Sequence, residues 1–162
     1  MEKEFLWQAD ILASVLKDYQ SEGRKVIFTN GCFDILHPGH TTYLAAARAL
    51  GDILVVGINS DASVRRLKGE KRPIMAEIAR AQLLASLAAV DFVTIFDEDD
   101  PYQLIKLLAP DILVKGGDWD TGNIVGRDLV EARGGQVKSL PFIGEYSTTS
   151  IVEEILKRYA DK

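Results

Sequence analysis

The chain has 162 residues, enough for one compact α/β domain and too few for two of ordinary size. Hydrophobic residues make up 47% and charged residues 27%, an ordinary globular balance that argues against disorder. With 19 Lys and Arg against 24 Asp and Glu the formal net charge is −5, so a broad nucleic-acid surface is not expected, although local cations can still hold a phosphorylated ligand. Cys32 is the single cysteine and cannot form an internal disulfide, and the N-terminus carries no signal pattern, which together point to the cytoplasm. No apolar run approaches the roughly 20 residues of a membrane span, so no membrane partner is expected.

In chain order, residues 4–20 read as an amphipathic helix with Phe5, Ile11, Leu12, Val15 and Leu16 as its apolar stripe, ended by Gly23. Residues 25–29 form a short apolar strand, and Pro38 opens a helix to Leu50 with Gly51 as its C-cap. The unit then recurs: a strand over 52–58, a helix from the Asn59-Ser60-Asp61 cap to Leu67, and a basic polar loop over 68–75. A helix over 76–89 and a strand over 91–96 follow, then a helix over 101–109, a strand over 112–115, a helix over 124–133, a strand over 136–141 and a closing helix over 148–159. Short apolar strands alternating with helices predict a Rossmann-like, doubly wound α/β fold: a five-stranded parallel sheet with helices on both faces. Residues 1–24 are expected to dock as a helix on a domain spanning 25–162. In such sheets ligands sit beyond the carboxyl ends of the strands, where strand order reverses.

The first strand leads into Thr29-Asn-Gly-Cys-Phe-Asp-Ile-Leu-His-Pro-Gly-His40. Neither the glycine-rich dinucleotide fingerprint nor the Walker A pattern is present, which removes the usual dehydrogenase and P-loop readings. Instead His37 and His40 flank Pro38 and Gly39 at a helix start. Proline suits the first helical turn, glycine lets phosphates approach the backbone, and the helix N-terminus favours an anion. The histidines can then donate to phosphate oxygens as charge builds during transfer. On local grounds alone, capping or core packing is the favoured reading of the pair. A zinc site would need Cys32, His37 and His40 to converge with no further Cys or His to complete it.

Gly31-Cys-Phe-Asp-Ile-Leu-His-Pro-Gly-His40 resembles the hallmark segment of the cytidylyltransferase-like superfamily. Five later segments narrow the likeness: Asn59–Gly69, Arg72-Pro-Ile74, Leu113–Asp118, Ile124-Val-Gly126 and Tyr146–Ile151. They resemble the heptose 1-phosphate adenylyltransferase family, in its stand-alone form without a sugar-kinase domain. The resemblance implies ATP and a sugar 1-phosphate as substrates, with AMP transferred by direct in-line attack and pyrophosphate released. It also implies Mg²⁺ carried on the ATP phosphates, with no dedicated protein metal site. It leaves room for a homodimer and for pathway partnership with a separate heptose kinase.

Carried over residue by residue, the resemblance makes His37, His40, Lys68 and Arg72 the catalytic set. It assigns Thr29, Asn30, Gly31, Phe33, Gly39, Arg80, Lys115, Gly117, Asp118, Ser147, Thr148 and Thr149 to the nucleotide. Asp34, Asn59, Asp61 and Trp119 fall to the acceptor side, with Asp34 chiefly ordering the motif loop. Each assignment has a plainer counterpart: a solvated face for the basic loop, a tight turn for Lys115–Asp118, an N-cap for Ser147. Ala79 stands where the family commonly has an acid, which leaves the support of Arg80 open. Within the superfamily, glycerol-3-phosphate cytidylyltransferases and FMN adenylyltransferases share the histidine motif; outside it, a non-catalytic nucleotide sensor or an assembly subunit for a kinase would use the same fold.

Overall fold

The computed structural model describes residues 5–117, 120–141 and 146–160. Its elements are α1 (Ala9–Ser21), β1 (Val26–Gly31), α2 (Pro38–Arg48), β2 (Ile53–Asn59), α3 (Asp61–Lys68), α4 (Glu77–Ala85), β3 (Phe92–Phe96), α5 (Tyr102–Leu108), β4 (Ile112–Gly116), α6 (Arg127–Glu131), β5 (Gln136–Leu140) and α7 (Thr148–Tyr159). A 3-10 turn at Thr121–Asn123 precedes α6. The five strands form one parallel sheet in the order β3-β2-β1-β4-β5, the doubly wound arrangement that the alternation of elements predicts.

Alternation along each strand sends side chains to two core layers. Ile27, Leu54, Val56 and Val114 pack with Tyr43, Leu44 and Ala47 of α2 and Leu84 of α4. Val26, Phe28, Val55 and Leu113 pack on the opposite face with α1, α5 and α6. α1 belongs to that second layer, burying Leu12 and Leu16 completely. It starts at Ala9 and not at residue 4, and Ile11 is 54% exposed because the helical period turns it away from the core. Before the helix, the Trp7 N–H donates to the Val93 carbonyl at 2.9 Å.

Two further helices are shorter than their sequence suggests. α4 ends at Ala85, and α6 spans only Arg127–Glu131. Gly126 explains the latter: its φ of +86° breaks the helical run, and a Cβ there would lie 2.6 Å from Ile105 Cδ1.

The two ends of the sheet are finished differently. At the amino end, an aspartate stands immediately before each of β2, β3 and β4 and accepts a neighbouring backbone N–H. Asp52 accepts from Lys25 at 2.8 Å, Asp91 from Leu54 at 2.7 Å, and Asp111 from Val26 at 2.8 Å. At the carboxyl end, β1 stays paired with β2 as far as Gly31↔Ile58, and β4 with β5 as far as Gly116↔Leu140. The pairing of β1 with β4 ends earlier, at Phe28↔Leu113. These strands therefore part at the reversal of strand order, which opens a crevice there. Tyr43 of α2 closes its floor by bonding Thr29 Oγ1 and donating to the Val114 carbonyl at 3.3 Å. Burial pushes the Tyr43 phenol up to about 12, against the pull of the Thr29 bond.

Candidate active site

The loop from β1 to α2 enters the crevice through an unusual backbone. Phe33 has φ +47°, a left-handed conformation rare for a side chain of this size, and its ring is buried. Asp34 is buried behind it and accepts the backbone N–H groups of Ile74 at 2.8 Å and Met75 at 2.9 Å. Arg72 Nε donates to the same carboxylate at 2.5 Å. Burial alone would raise the Asp34 carboxyl, but these two N–H donors and Arg72 outweigh it and hold the group below the usual carboxylate range.

α2 starts at Pro38, with His37 as an N-cap residue that makes no side-chain cap. The His37 and His40 rings stack with centroids 3.8 Å apart, and His40 lies 5.1 Å from the Phe33 ring. Gly39 permits the stack, since a Cβ there would lie 3.0 Å from His37 Nδ1. The Nδ1 atoms of both rings are buried with no hydrogen-bond partner among the described residues. Burial lowers both imidazoles, and with the help of His37 it brings His40 to about 4. Both rings are therefore neutral near pH 7, fitted to donate a hydrogen bond and poor as proton acceptors.

Cations gather around this helix start. Lys68, Arg80 and Arg72 all act on Cys32, whose thiol burial nonetheless pushes up. Lys115, at the tip of β4, is lowered by burial and by Lys68, while Cys32 acts the other way. The structure thus brings Lys68, Arg72 and Lys115 to one mouth. The rest of the basic run divides: Arg66 turns away to Asp99 at 2.7 Å, so that run is only in part a site feature. Cys32 Sγ is directed to Asn59 Oδ1 at 3.9 Å and does not join the histidines. No group of three His, Cys, Asp or Glu that could hold a metal is found among the described residues.

Several expected ligand contacts prove to be structural. Arg80 was expected to reach phosphates, but it is fully buried. It donates to the carbonyls of Met75 at 3.0 Å, Cys32 at 2.5 Å and Asn59 at 2.9 Å, and to Asp61 Oδ1 at 2.8 Å. It ties four segments together beneath the site, and the balancing acid comes from Asp61 and not from position 79. Asn59 and Asp61, expected on the acceptor side, also have partners within the fold. The Asn59 amide donates to Ser63 Oγ at 3.0 Å, and the Asp61 carboxylate is held by Arg80. Thr29 turns its hydroxyl inward to Tyr43, and Asp34 clamps the basic loop through N–H groups 40 and 41 residues away.

Asn30, Gly31 and Lys115 stand at the parted strand tips, and Gly117 turns the chain out of β4 with φ +103°. Ser147 caps α7, accepting from the Ser150 N–H at 3.0 Å while Ser150 Oγ accepts from the Ser147 N–H at 2.9 Å. This start lies close to that of α2, because the Tyr146 carbonyl would sit 3.6 Å from a Cβ at Gly39. Thr148 and Thr149 follow on the first turn of α7, half-buried and exposed respectively. The expectations for Asp118 and Trp119 lie outside the described residues. Sequence reasoning missed Tyr43, and it gave no role to Pro101, Asn123 or Val125, which line a cavity beside Asn30 and Lys115.

Uncapped helix start, neutral imidazoles and converging cations at the switch point of a doubly wound sheet together suit a polyanion that exchanges a phosphoryl bond. The chain is a nucleotidyltransferase. Residues 28–154 match the cytidylyltransferase-like family, and the chain belongs to it. It is 57% identical over 150 residues to the bifunctional protein HldE of Citrifermentans bemidjiense, covering 93% of this chain and 31% of that protein. Against the bifunctional protein HldE of Geobacter sulfurreducens it is 52% identical over 153 residues, covering 94% and 31%. The chain therefore spans about a third of the length of these curated relatives. Among solved structures, the lipopolysaccharide core biosynthesis protein of Thermoplasma volcanium is 33% identical with TM-score 0.62, covering 77% of this chain and 100% of that one. Pantoate-beta-alanine ligase of Francisella tularensis shares the fold at 15% identity and TM-score 0.63, covering 97% and 79%. No helix among the described residues is long and apolar enough to cross a membrane.

Proposed function

We propose that the chain transfers AMP from ATP to D-glycero-β-D-manno-heptose 1-phosphate, giving ADP-heptose and pyrophosphate. The observation that carries the transfer is the start of α2, with two neutral imidazoles whose buried Nδ1 atoms lack partners among the described residues. Support for heptose as acceptor comes from the motif resemblance and from the likeness to the lipopolysaccharide core biosynthesis protein of Thermoplasma volcanium. A non-bridging oxygen of the sugar phosphate attacks the α-phosphorus, and the bond from that phosphorus to the bridging oxygen of the β-phosphate breaks. Pyrophosphate leaves with the electron pair. No proton has to leave the attacking phosphate, so imidazoles poised as donors suffice and no general base is needed. Lys68 and Arg72 offset the charge of the two polyanions, and the adjacent starts of α2 and α7 favour the phosphates.

Mg²⁺ bound with ATP would offset charge on the leaving phosphates. Its ligands would be chiefly phosphate oxygens and water, as the Asp34 carboxylate is already engaged by three donor residues. The acceptor would come from a sugar kinase, and the reaction belongs in the cytoplasm, where ATP is available. A homodimer is an expectation that light scattering tests.

The test is pyrophosphate release with each of ATP, CTP and GTP against a panel of acceptors. ATP with heptose 1-phosphate is expected to be the preferred pair. Preference for CTP with glycerol 3-phosphate, or for ATP with FMN, would assign a different acceptor. Nucleotide binding without pyrophosphate release from any pair would make the chain a sensor or an assembly subunit.

A further inference from the structure

The histidines occupy one face of the crevice, and the other face is also shaped. Alternation along β1 sends Ile27 and Thr29 toward α2, and Phe28 and Asn30 toward α5 and α6. On β4 the same rule sends Val114 toward α2 and Lys115 away from it. Asn30 and Lys115 therefore sit across the sheet from His37 and His40, at the tips where β1 and β4 have parted. There they line a cavity of about 110 Å³ with Pro101, Asn123, Ile124 and Val125.

Its walls are fixed. Ile124 is buried in the second core layer, and Gly126 seats the following turn against Ile105. Asp120 caps the 3-10 turn through the Gly122 N–H at 2.9 Å and accepts from Asn123 Nδ2 at 3.2 Å, which orients the Asn123 amide. The lining combines two carboxamides and one ammonium with a wall of Pro101, Ile124 and Val125. That mixture suits a pyranose, whose hydroxyls need hydrogen-bond partners and whose C–H face packs on apolar surface. Lys115 also links the cavity to the cationic mouth, being electrostatically coupled to Lys68 and Cys32.

We infer that this cavity holds the sugar ring of the acceptor, with Asn30 and Asn123 selecting among hydroxyls, Lys115 receiving the 1-phosphate, and Val125 setting the ring size admitted. The inference rests on the reading of the chain as a sugar 1-phosphate adenylyltransferase, and it adds a location and a specificity set that the histidine motif does not carry. In-line displacement then requires the attacking oxygen of the 1-phosphate and the leaving pyrophosphate to lie on opposite sides of the α-phosphorus.

The test pairs Val125→Trp, which fills the cavity from a position already 41% exposed, with the milder Asn123→Ala. Heptose 1-phosphate KM is expected to rise at least roughly 10-fold in Val125→Trp and by several-fold in Asn123→Ala, with ATP Kd by calorimetry within about twofold of wild type. An unchanged acceptor KM in both variants, or an equal weakening of ATP, would overturn the inference. Backbone chemical-shift mapping with heptose 1-phosphate separates it from the proposed function. Shifts at Asn123 and Val125, abolished in Val125→Trp, without turnover by the wild-type chain would uphold the cavity and sink the transfer reading. Turnover with shifts confined to α3 and α7 would do the reverse, and no binding at all would sink both.

Discussion

The starts of α2 and α7 lie side by side at the carboxyl edge of the sheet and are finished in opposite ways. α7 satisfies its own first turn, with Ser147 and Ser150 exchanging side-chain and backbone hydrogen bonds. α2 begins with an extended His37 that makes no side-chain cap, and its two imidazoles keep buried Nδ1 atoms without partners among the described residues. Serine at a helix start normally serves folding, as it does in α7. Histidine in that place leaves polar capacity unused within the fold, and the cost is borne by a stiff surround: Phe33 in a left-handed conformation, Asp34 clamping residues 74 and 75, and Arg80 fastening the loop from below. One helix start caps itself with side chains, and the other does not.

The strongest way to break this contrast is to remove the fastening. Arg80→Met is expected to cost about 3–5 kcal/mol in urea denaturation, since it orphans three carbonyls and the Asp61 carboxylate. Unchanged stability combined with a raised ATP KM would instead make Arg80 a phosphate ligand. Next in size, His40→Ala is expected to lower kcat by at least roughly 10²-fold in a pyrophosphate assay, with ATP affinity changed much less. Equal losses in rate and affinity would reduce His40 to a binding group.

Acidity gives a third, smaller effect. His40 is held at about 4 against its ordinary 6.5 by burial and by His37. Between those values the unfolded chain binds more protons than the folded one, so stability is complete above pH 6.5 and is lost as the pH falls toward 4. Roughly 2 kcal/mol of that loss should be absent in His40→Gln, read from urea midpoints at neutral and acid pH, after discounting for the partly exposed ring. Matching pH slopes in the two proteins would mean that burial does not keep the ring neutral. The smallest change is expected at the other helix: Ser147→Ala should cost about 1 kcal/mol, seen as faster amide exchange in the first turn of α7. No change in exchange would show that the serine pair does not hold that turn.

The doubly wound parallel sheet and the α2 start were legible in the sequence because both rest on local signals. Short apolar strands alternating with helices allow few topologies, and Pro38 with Gly39 between histidines marks a phosphate-ready helix start. What Arg80 does was not legible, and Asp34 was read as ordering its own loop through backbone hydrogen bonds, with no sign that the bonds come from Ile74 and Met75. Their partners lie 5 to 48 residues away, and a positive charge reads the same in sequence whether it meets a phosphate or three backbone carbonyls. Arg66 and Lys68 show the same ambiguity two residues apart, one paired with Asp99 and the other facing Cys32 and Lys115. The cavity opposite the histidines was hidden for a further reason: its six residues come from four separate stretches that only the fold brings together.

Tyr43 has a consequence in the optical domain. Of the five tyrosines in the chain it alone plugs the gap between β1 and β4, bonded to Thr29 and to the Val114 carbonyl and pushed up to about 12. In an alkaline absorbance titration its phenolate band should come last, and only once water reaches the crevice floor. The wavelength shift of one ring thus reports, without any added label, the moment the two central strands let go of their plug.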